Sequence, residues 1–248
     1  MYDSSFNVTE RKKDTAESGN NVNASFFSFE NCPVKVSFTD CPVEERKRFY
    51  SSHCIMPISV GLGLKVCEGS EFLGTLKLIN ASFRSFTILL DDSIQRYNMR
   101  ILSDLSDEAL RNQAIREGDL WLQRNKSIID LVSVPYNIVR WDDWANHPSY
   151  LEHNKIVEAL YQSDEWYRAA FEDTIEEFLS RFQKNIASDD AKIKKFDYDY
   201  AYQSCLLYLK EECSVMCLWA QALYDFEVYP TGRNKAMMAT YEKIIKPN

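Results

Sequence analysis

Residues 54–60, CIMPISV, form a short apolar run followed at once by Gly61-Leu62-Gly63-Leu64, the pattern of a strand buried on both faces that feeds a loop. Downstream, residues 72–83, FLGTLKLINASF, repeat their apolar side chains with helical period. Residues 86–90, FTILL, are a second buried run, closed by Asp91-Asp92. Strand, helix and strand in this order predict a βαβ unit with parallel strands.

The pattern continues outward from that unit. Residues 104–133 read as a long helix with acidic residues in its first turns and Arg124 and Lys126 later, as the helix dipole prefers. Residues 137–141, NIVRW, are a third strand candidate. Amphipathic helices are expected over 150–162 and 165–185, followed by a polar linker, SDDAKIKK, at 188–195. A further helix spans 198–224. A last strand, 226–229, is stopped by Pro230-Thr231-Gly232, and 234–245 closes the chain as a helix. Upstream, residues 1–24 read as a polar, disordered or loosely attached tail. The segment SFFSFENCPVKVSF, from Ser25, suggests a small hairpin or extended arm, so that 25–248 form a single domain. The fold class expected is α/β: a Rossmann-like, mostly parallel sheet with helices on both faces. Ligands in such sheets sit outside the carboxyl ends of the strands, here at 59–64, 91–92, 142–143 and 229–230.

Composition narrows the function. The 248 residues are 45% hydrophobic and 27% charged, with only seven Gly and seven Pro, which fits a helix-rich globular protein. No apolar run approaches the roughly 18–20 residues of a membrane span, and residues 1–6 lack a signal-peptide layout. The expected location is therefore the cytoplasm. A net charge of -8 argues against a general nucleic-acid coat, though not against a local basic patch. Seven cysteines without a CxxC pair suggest neither a disulfide framework nor a zinc ribbon; those on the 198–224 helix read as small buried hydrophobes. His53, His147 and His153 are too few and ill-spaced for a metal site, so no metal and no cofactor are expected.

Three places could carry chemistry. Ser59, at the carboxyl end of the first strand with Pro57 behind it and Gly61 and Leu62 ahead, is either a nucleophile presented into the crevice or a turn or cap residue. The stretch GLGLKVCEG has neither GxGxxG spacing nor a Walker lysine, so it is no nucleotide loop. On the 198–224 helix, Gln203, Lys210, Ser214 and Gln221 share one stripe, the expected solvent face. Tyr208 and Glu212 project opposite, with Val215 and Trp219. A buried carboxylate needs a partner: Glu212 is either a structural residue paired with an arginine, or forms with Tyr208 an ammonium receptor or proton-transfer pair. Tyr229, at the end of the last strand beside Pro230, offers a phenol for hydrogen bonding or simply packs. Asp91-Asp92 and Asp142-Asp143 read as turn and cap residues. Arg111, Arg116, Arg124 and Lys126 form a modest basic strip on their helix.

Taken together, Pro57-Ile58-Ser59-Val60-Gly61, the Tyr208-x-x-x-Glu212 pair and Tyr229-Pro230 resemble the tRNA-dependent cyclodipeptide synthases over about residue 54 to the C-terminus. Leu62 and Pro230 resemble the family branch that has a variable residue three after the nucleophile and Pro after the last catalytic Tyr. The resemblance implies a fold like the catalytic domain of class I tyrosyl- and tryptophanyl-tRNA synthetases, without their ATP site. It implies ping-pong acyl transfer in which Ser59 takes an aminoacyl group from a first aminoacyl-tRNA, and the amine of a second attacks the acyl-enzyme. Cyclisation then gives a 2,5-diketopiperazine. Tyr208 and Glu212 would bind the α-amino group, Tyr229 would relay protons, and Pro57, Gly61, Leu62 and Pro230 would line the substrate site. Arg111, Arg116, Arg124 and Lys126 would bind tRNA. The partners implied are two aminoacyl-tRNAs per product, with no metal and no membrane, for a monomer. The rival reading is a non-catalytic Rossmann-like protein that binds charged tRNA or another partner; a serine hydrolase ranks lower because no motif places a His near Ser59.

Overall fold

The computed structural model describes residues 49–60, 65–221, 224–230 and 232–245. The expected tail at 1–24, the arm after Ser25, and Gly61 and Leu62 lie outside these residues. The first apolar run forms β1 (His53–Ser59), and α1 (Gly69–Ser82) leads to β2 (Ser85–Asp91). These three elements are the βαβ unit read from the sequence. Three short helical turns over Ser93–Leu102 then lead into α2 (Asp107–Ile129), β3 (Tyr136–Arg140) and α3 (Trp141–Ala145). Next come α4 (Tyr150–Ser163), α5 (Glu165–Ile186), α6 (Asp190–Lys195) and α7 (Tyr198–Gln221). Then β4 (Phe226–Glu227), α8 (Lys235–Thr240) and a π-helical turn at Tyr241–Ile245 close the described chain.

The strands lie side by side in the order β3-β2-β1-β4, and every pairing is parallel. The chain moves from β1 through β2 to β3 on one side and returns to β4 on the other. The carboxyl end of β1 is thus the point where strand order reverses and the helix connections diverge, leaving a crevice. Pro57 sits inside this central strand, where a proline would normally remove a ladder hydrogen bond. Its cost is avoided by position. Asp225 N donates to His53 O at 2.9 Å and Val228 N to Ile55 O at 2.8 Å, so alternate residues of β1 turn their backbone groups toward β4. Position 57 is the next in that series, and β4 has already ended at Glu227.

Side-chain alternation divides the sheet into two faces. Cys54, Met56, Ile58, Phe86, Ile88 and Leu90 pack against α1 and α2. Ile55, Leu89 and Val139 pack against Trp141, Val215, Met216 and Trp219, so α7 covers the other face. A third core lies wholly among helices. Tyr167, Phe171, Ile175 and Leu179, spaced four apart on α5, close against α7, α4 and α8.

Three expectations are corrected. The 188–195 linker contains a helix, α6, because Asp189 caps it by accepting from Lys192 N at 3.1 Å. The stretch after Asp92 is helical rather than a plain turn. The solvent stripe assigned to the α7 helix is exposed at Gln203, but Ser214 is fully buried and Lys210 pairs with Glu158 of α4 at 2.6 Å. Helix α4 covers that part of the stripe, and periodicity within α7 cannot register a neighbour.

Gly118 of α2 is required by close approach. A Cβ there would stand 2.8 Å from Asp92 Oδ2 and from Arg140 Nη2; their 2.6 Å ion pair ties the end of β2 to β3, and Arg140 Nη2 also donates to Ile115 O of α2 at 2.7 Å. Alanine has the better helix propensity by roughly 1 kcal/mol, yet Gly118→Ala should destabilise by about 2 kcal/mol through overpacking. A thermal unfolding midpoint equal to or above that of the wild type would show that the pair yields without cost.

Candidate active site

Ser59 is the last residue of β1, on the same sheet face as Ile55 and Pro57, and that face is covered by α7. Its register partner on β2 is Asp91. Tyr208 and Glu212 come down from α7, one turn apart. Glu227 pairs in register with Ile55 and so shares this face, and Tyr229 follows two residues later. The structure therefore gathers Ser59, Tyr208, Glu212 and Tyr229 at the carboxyl end of β1, as the sequence reading expected. Pro57 is buried beneath Ser59, and Pro230 opens a turn that Gly232 closes with its N–H on Tyr229 O at 3.1 Å.

Glu212 is 3% exposed and makes no ion pair with an arginine among the described residues. Tyr229 Oη donates to its Oε1 at 3.2 Å and Asn234 Nδ2 to its Oε2 at 3.0 Å; the Tyr208 phenol also bonds to it. Burial pushes this carboxyl up to about 7, even though all three donors favour the ionised form. Glu227 rises to about 7 for the same reason, against the opposing pull of Arg233 at 3.2 Å. The phenols of Tyr208 and Tyr229 are driven well above their ordinary value by burial and by Glu212. Both are thus neutral hydroxyls that donate or relay a proton rather than phenolate bases.

Residues that the sequence reading did not single out complete the site. Gln95, 2% exposed, donates from Nε2 to Ser59 Oγ at 3.2 Å. Its Oε1 accepts from Asn98 at 2.9 Å, and it also bonds to the Tyr208 phenol. An amide that donates to Oγ leaves the serine proton directed elsewhere and favours negative charge developing on that oxygen. Beside Glu212, Glu211 is buried and receives Arg96 at 2.6 Å, Tyr97 Oη at 2.8 Å and Trp141 Nε1 at 2.8 Å. On α7 the glutamate with an arginine partner is therefore Glu211, not Glu212. No short-range signal pointed to the roles of Gln95 and Glu211, since Ser59 is 36 residues from Gln95 and Arg96 is 115 residues from Glu211.

The basic strip is largely engaged. Arg111 pairs with Asp142, Arg124 with Glu68 at 2.8 Å and Lys126 with Asp130 at 2.7 Å. Arg116 is exposed and makes no ion pair among the described residues. Asp92 and Asp143 act as the caps expected of them, accepting from Ser93 N and Arg140 N at 2.7 and 2.8 Å. Among the described residues no three His, Cys, Asp or Glu side chains are grouped to hold a metal.

The α/β domain that carries this buried carboxyl-and-phenol site is similar to known structures. At 46% identity the chain matches the structure of a CDPS, a cyclodipeptide synthase, from Fluoribacter dumoffii, with a TM-score of 0.79 over 86% of this chain and 92% of that one. The chain belongs to the cyclodipeptide synthase family. It also shares its fold, at 15% identity and a TM-score of 0.67, with a cyclodipeptide synthase from Candidatus Glomeribacter gigasporarum bound to Phe-tRNAPhe, over 78% and 82% of the two chains. A third match, Rv2275 of Mycobacterium tuberculosis, is 14% identical with a TM-score of 0.50 over 70% of each chain; its structure is described as demonstrating that cyclodipeptide synthetases are related to type I tRNA synthetases. No protein-family model and no curated protein matches the chain.

The raised Glu212 value fixes a sign for stability. Below about pH 4.5 the carboxyl is protonated both folded and unfolded, and above about 7 it is ionised in both. In between the folded state holds the extra proton, so ionising Glu212 costs stability as pH rises through this window, in full about 3 kcal/mol. Glu212→Gln should therefore gain in thermal midpoint relative to wild type between pH 5 and pH 8. An equal difference at both values would show that Glu212 is not held up by burial.

Proposed function

We propose that this chain makes a 2,5-diketopiperazine from two aminoacyl-tRNAs through an aminoacyl ester on Ser59. The observation that carries the reading is the hydroxyl of Ser59 held by Gln95 at the switch point, with Tyr208, Glu212 and Tyr229 on the same sheet face. Ser59 Oγ attacks the ester carbonyl of the first aminoacyl-tRNA. The new Oγ–C bond forms, the C–O bond to the ribose breaks, and the serine proton passes to the ribose oxygen, with Tyr229 or the vicinal ribose hydroxyl as relay. The substrate ester is already activated, so the step needs no ATP.

The α-ammonium of the acyl group is bound by Glu212 and Tyr208. The neutral amine of the second aminoacyl-tRNA then attacks the Ser59 ester, its C–Oγ bond breaks, and the amine's proton returns to Oγ. The free amine of the resulting dipeptide attacks the remaining ester, which closes the ring and releases the second tRNA. Leu62 and Pro230 assign the chain to the Tyr-Pro branch of the family. Pro57 and Pro230 line the aminoacyl site, and the enzyme works as a cytoplasmic monomer. A hydrolase triad has no support: the bond on Ser59 Oγ comes from an amide, and His53 is at the other end of β1, about 20 Å away at strand rise. Docking of tRNA is assigned to the helix bearing Arg111, Arg116, Arg124 and Lys126. The acidic net charge makes that binding weak and salt-sensitive.

Mass spectrometry of cells expressing the wild type beside Ser59→Ala should find diketopiperazines in the first culture and none in the second. Equal amounts in both would remove Ser59 from the reaction. Replacing Arg116 and Arg124 together by Glu should raise the apparent KM for aminoacyl-tRNA and flatten its salt dependence while acylation persists at saturation; unchanged kinetics would place the tRNA elsewhere.

A further inference from the structure

Asp91 ends β2 and is the register partner of Ser59. Side chains of paired residues in a parallel sheet leave the same face, about 4.8 Å apart, and this face is the one that α7 covers. The Asp91 side chain is 2% exposed, and its Oδ1 has no hydrogen-bond partner among the described residues. The ionisable groups around it are carboxyls, phenols and a thiol. They are Glu212 and Tyr208 from α7, Glu227 and Tyr229 from β4 and its extension, Asp92 next in sequence, and Cys67 ahead of α1. The nearby guanidinium groups are committed, Arg140 to Asp92 and Arg233 to Glu227.

A buried carboxyl with acidic neighbours and an open acceptor is a site that lacks its cation. We propose that Asp91 is a second ammonium-binding residue, which together with Glu212 receives the α-ammonium of the aminoacyl group on Ser59. This rests on the acyl-enzyme reading given above and extends it. In an aminoacyl ester only three bonds separate the ammonium nitrogen from the serine oxygen, which keeps the two atoms within roughly 4 Å at ordinary bond lengths. An ammonium tethered that closely to Ser59 comes within reach of the residue paired with Ser59 in the sheet. It carries three donors, and the donors already on Glu212 leave Asp91 Oδ1 as the vacant acceptor.

The empty site keeps Asp91 protonated, because burial and Glu212 both oppose its ionisation. When the ammonium arrives it replaces that proton as the neutralising partner, and the proton leaves to solvent. An acyl group without the ammonium would leave Asp91 in its protonated state and draw nothing from it. Asp91 thus makes the site select α-amino acyl groups over other esters.

The test compares Ser59 acylation, read as an intact-mass increment, for two pools made from total tRNA. One is charged with the twenty amino acids, and the other is the same pool deaminated by nitrous acid to α-hydroxyacyl-tRNA. The wild type should prefer the first pool. In Asp91→Asn the preference should fall by about tenfold or more, as expected for one lost charge-assisted hydrogen bond, with the hydroxyacyl rate unchanged. Equal losses on both pools, or a wild-type preference retained in the variant, would overturn the proposal. Asp91→Ser gives the same ratio should the asparagine variant fold poorly. A wild type acylated by the hydroxyacyl pool as fast as by the aminoacyl pool would overturn the role of Asp91 alone. A wild type acylated by neither would overturn the acyl-enzyme reading with it.

Discussion

Two adjacent glutamates on one buried helix have to be satisfied from different directions, and much of the architecture follows from that. Glu211 and Glu212 are 7% and 3% exposed, and neither is tolerable without donors. Glu211 takes its donors from the short helical turns after β2 and from α3, while Glu212 takes its own from the β4 extension and Asn234. Helix α7 is thereby fastened to both flanks of the sheet by polar contacts, and Val215, Met216 and Trp219 add the apolar seat between them. The fully paired glutamate serves as the anchor. The one held by two phenols and an amide remains poised near neutrality.

Most of the frame was legible in the sequence. The apolar runs at 54–60 and 86–90 are strands because a strand covered on both faces has no polar positions, and the helical period of 72–83 can only be the crossover between them. Ser59, Tyr208, Glu212 and Tyr229 were legible because each stands at a place that topology makes special: a strand end or the inward stripe of a long helix. What was hidden depends on contacts between distant segments. Gln95 and Asp91 sit among polar residues that locally signal only a turn. The burial of Ser214 is imposed by α4, which periodicity within α7 cannot register. Asp91 in particular was read with Asp92 as a capping pair, yet only Asp92 caps; its neighbour belongs to the strand and the site.

The proline in the central strand shows how local rules and function meet. Pro57 would be a defect if β4 ran two residues further, because its missing N–H would then face a partner. Since β4 stops at Glu227, the position is free of that demand, and the short strand that tolerates the proline also ends before it could pair with Ser59.

Helix α7 also joins two layers that otherwise share few elements. Its first half, with Ala201, Cys205 and Leu209, packs in the all-helical core against Phe171 and Ile175, and its second half rests on the sheet. At 24 residues it is about 36 Å long and stiff, and Tyr208 and Glu212 fall near its middle. The helix is in effect a beam supported at both ends with the reactive groups at mid-span. Repacking the remote helical layer would tilt that beam and retune the site without replacing any residue in it, which gives selection a coarse adjustment separate from the fine one made by the pocket walls.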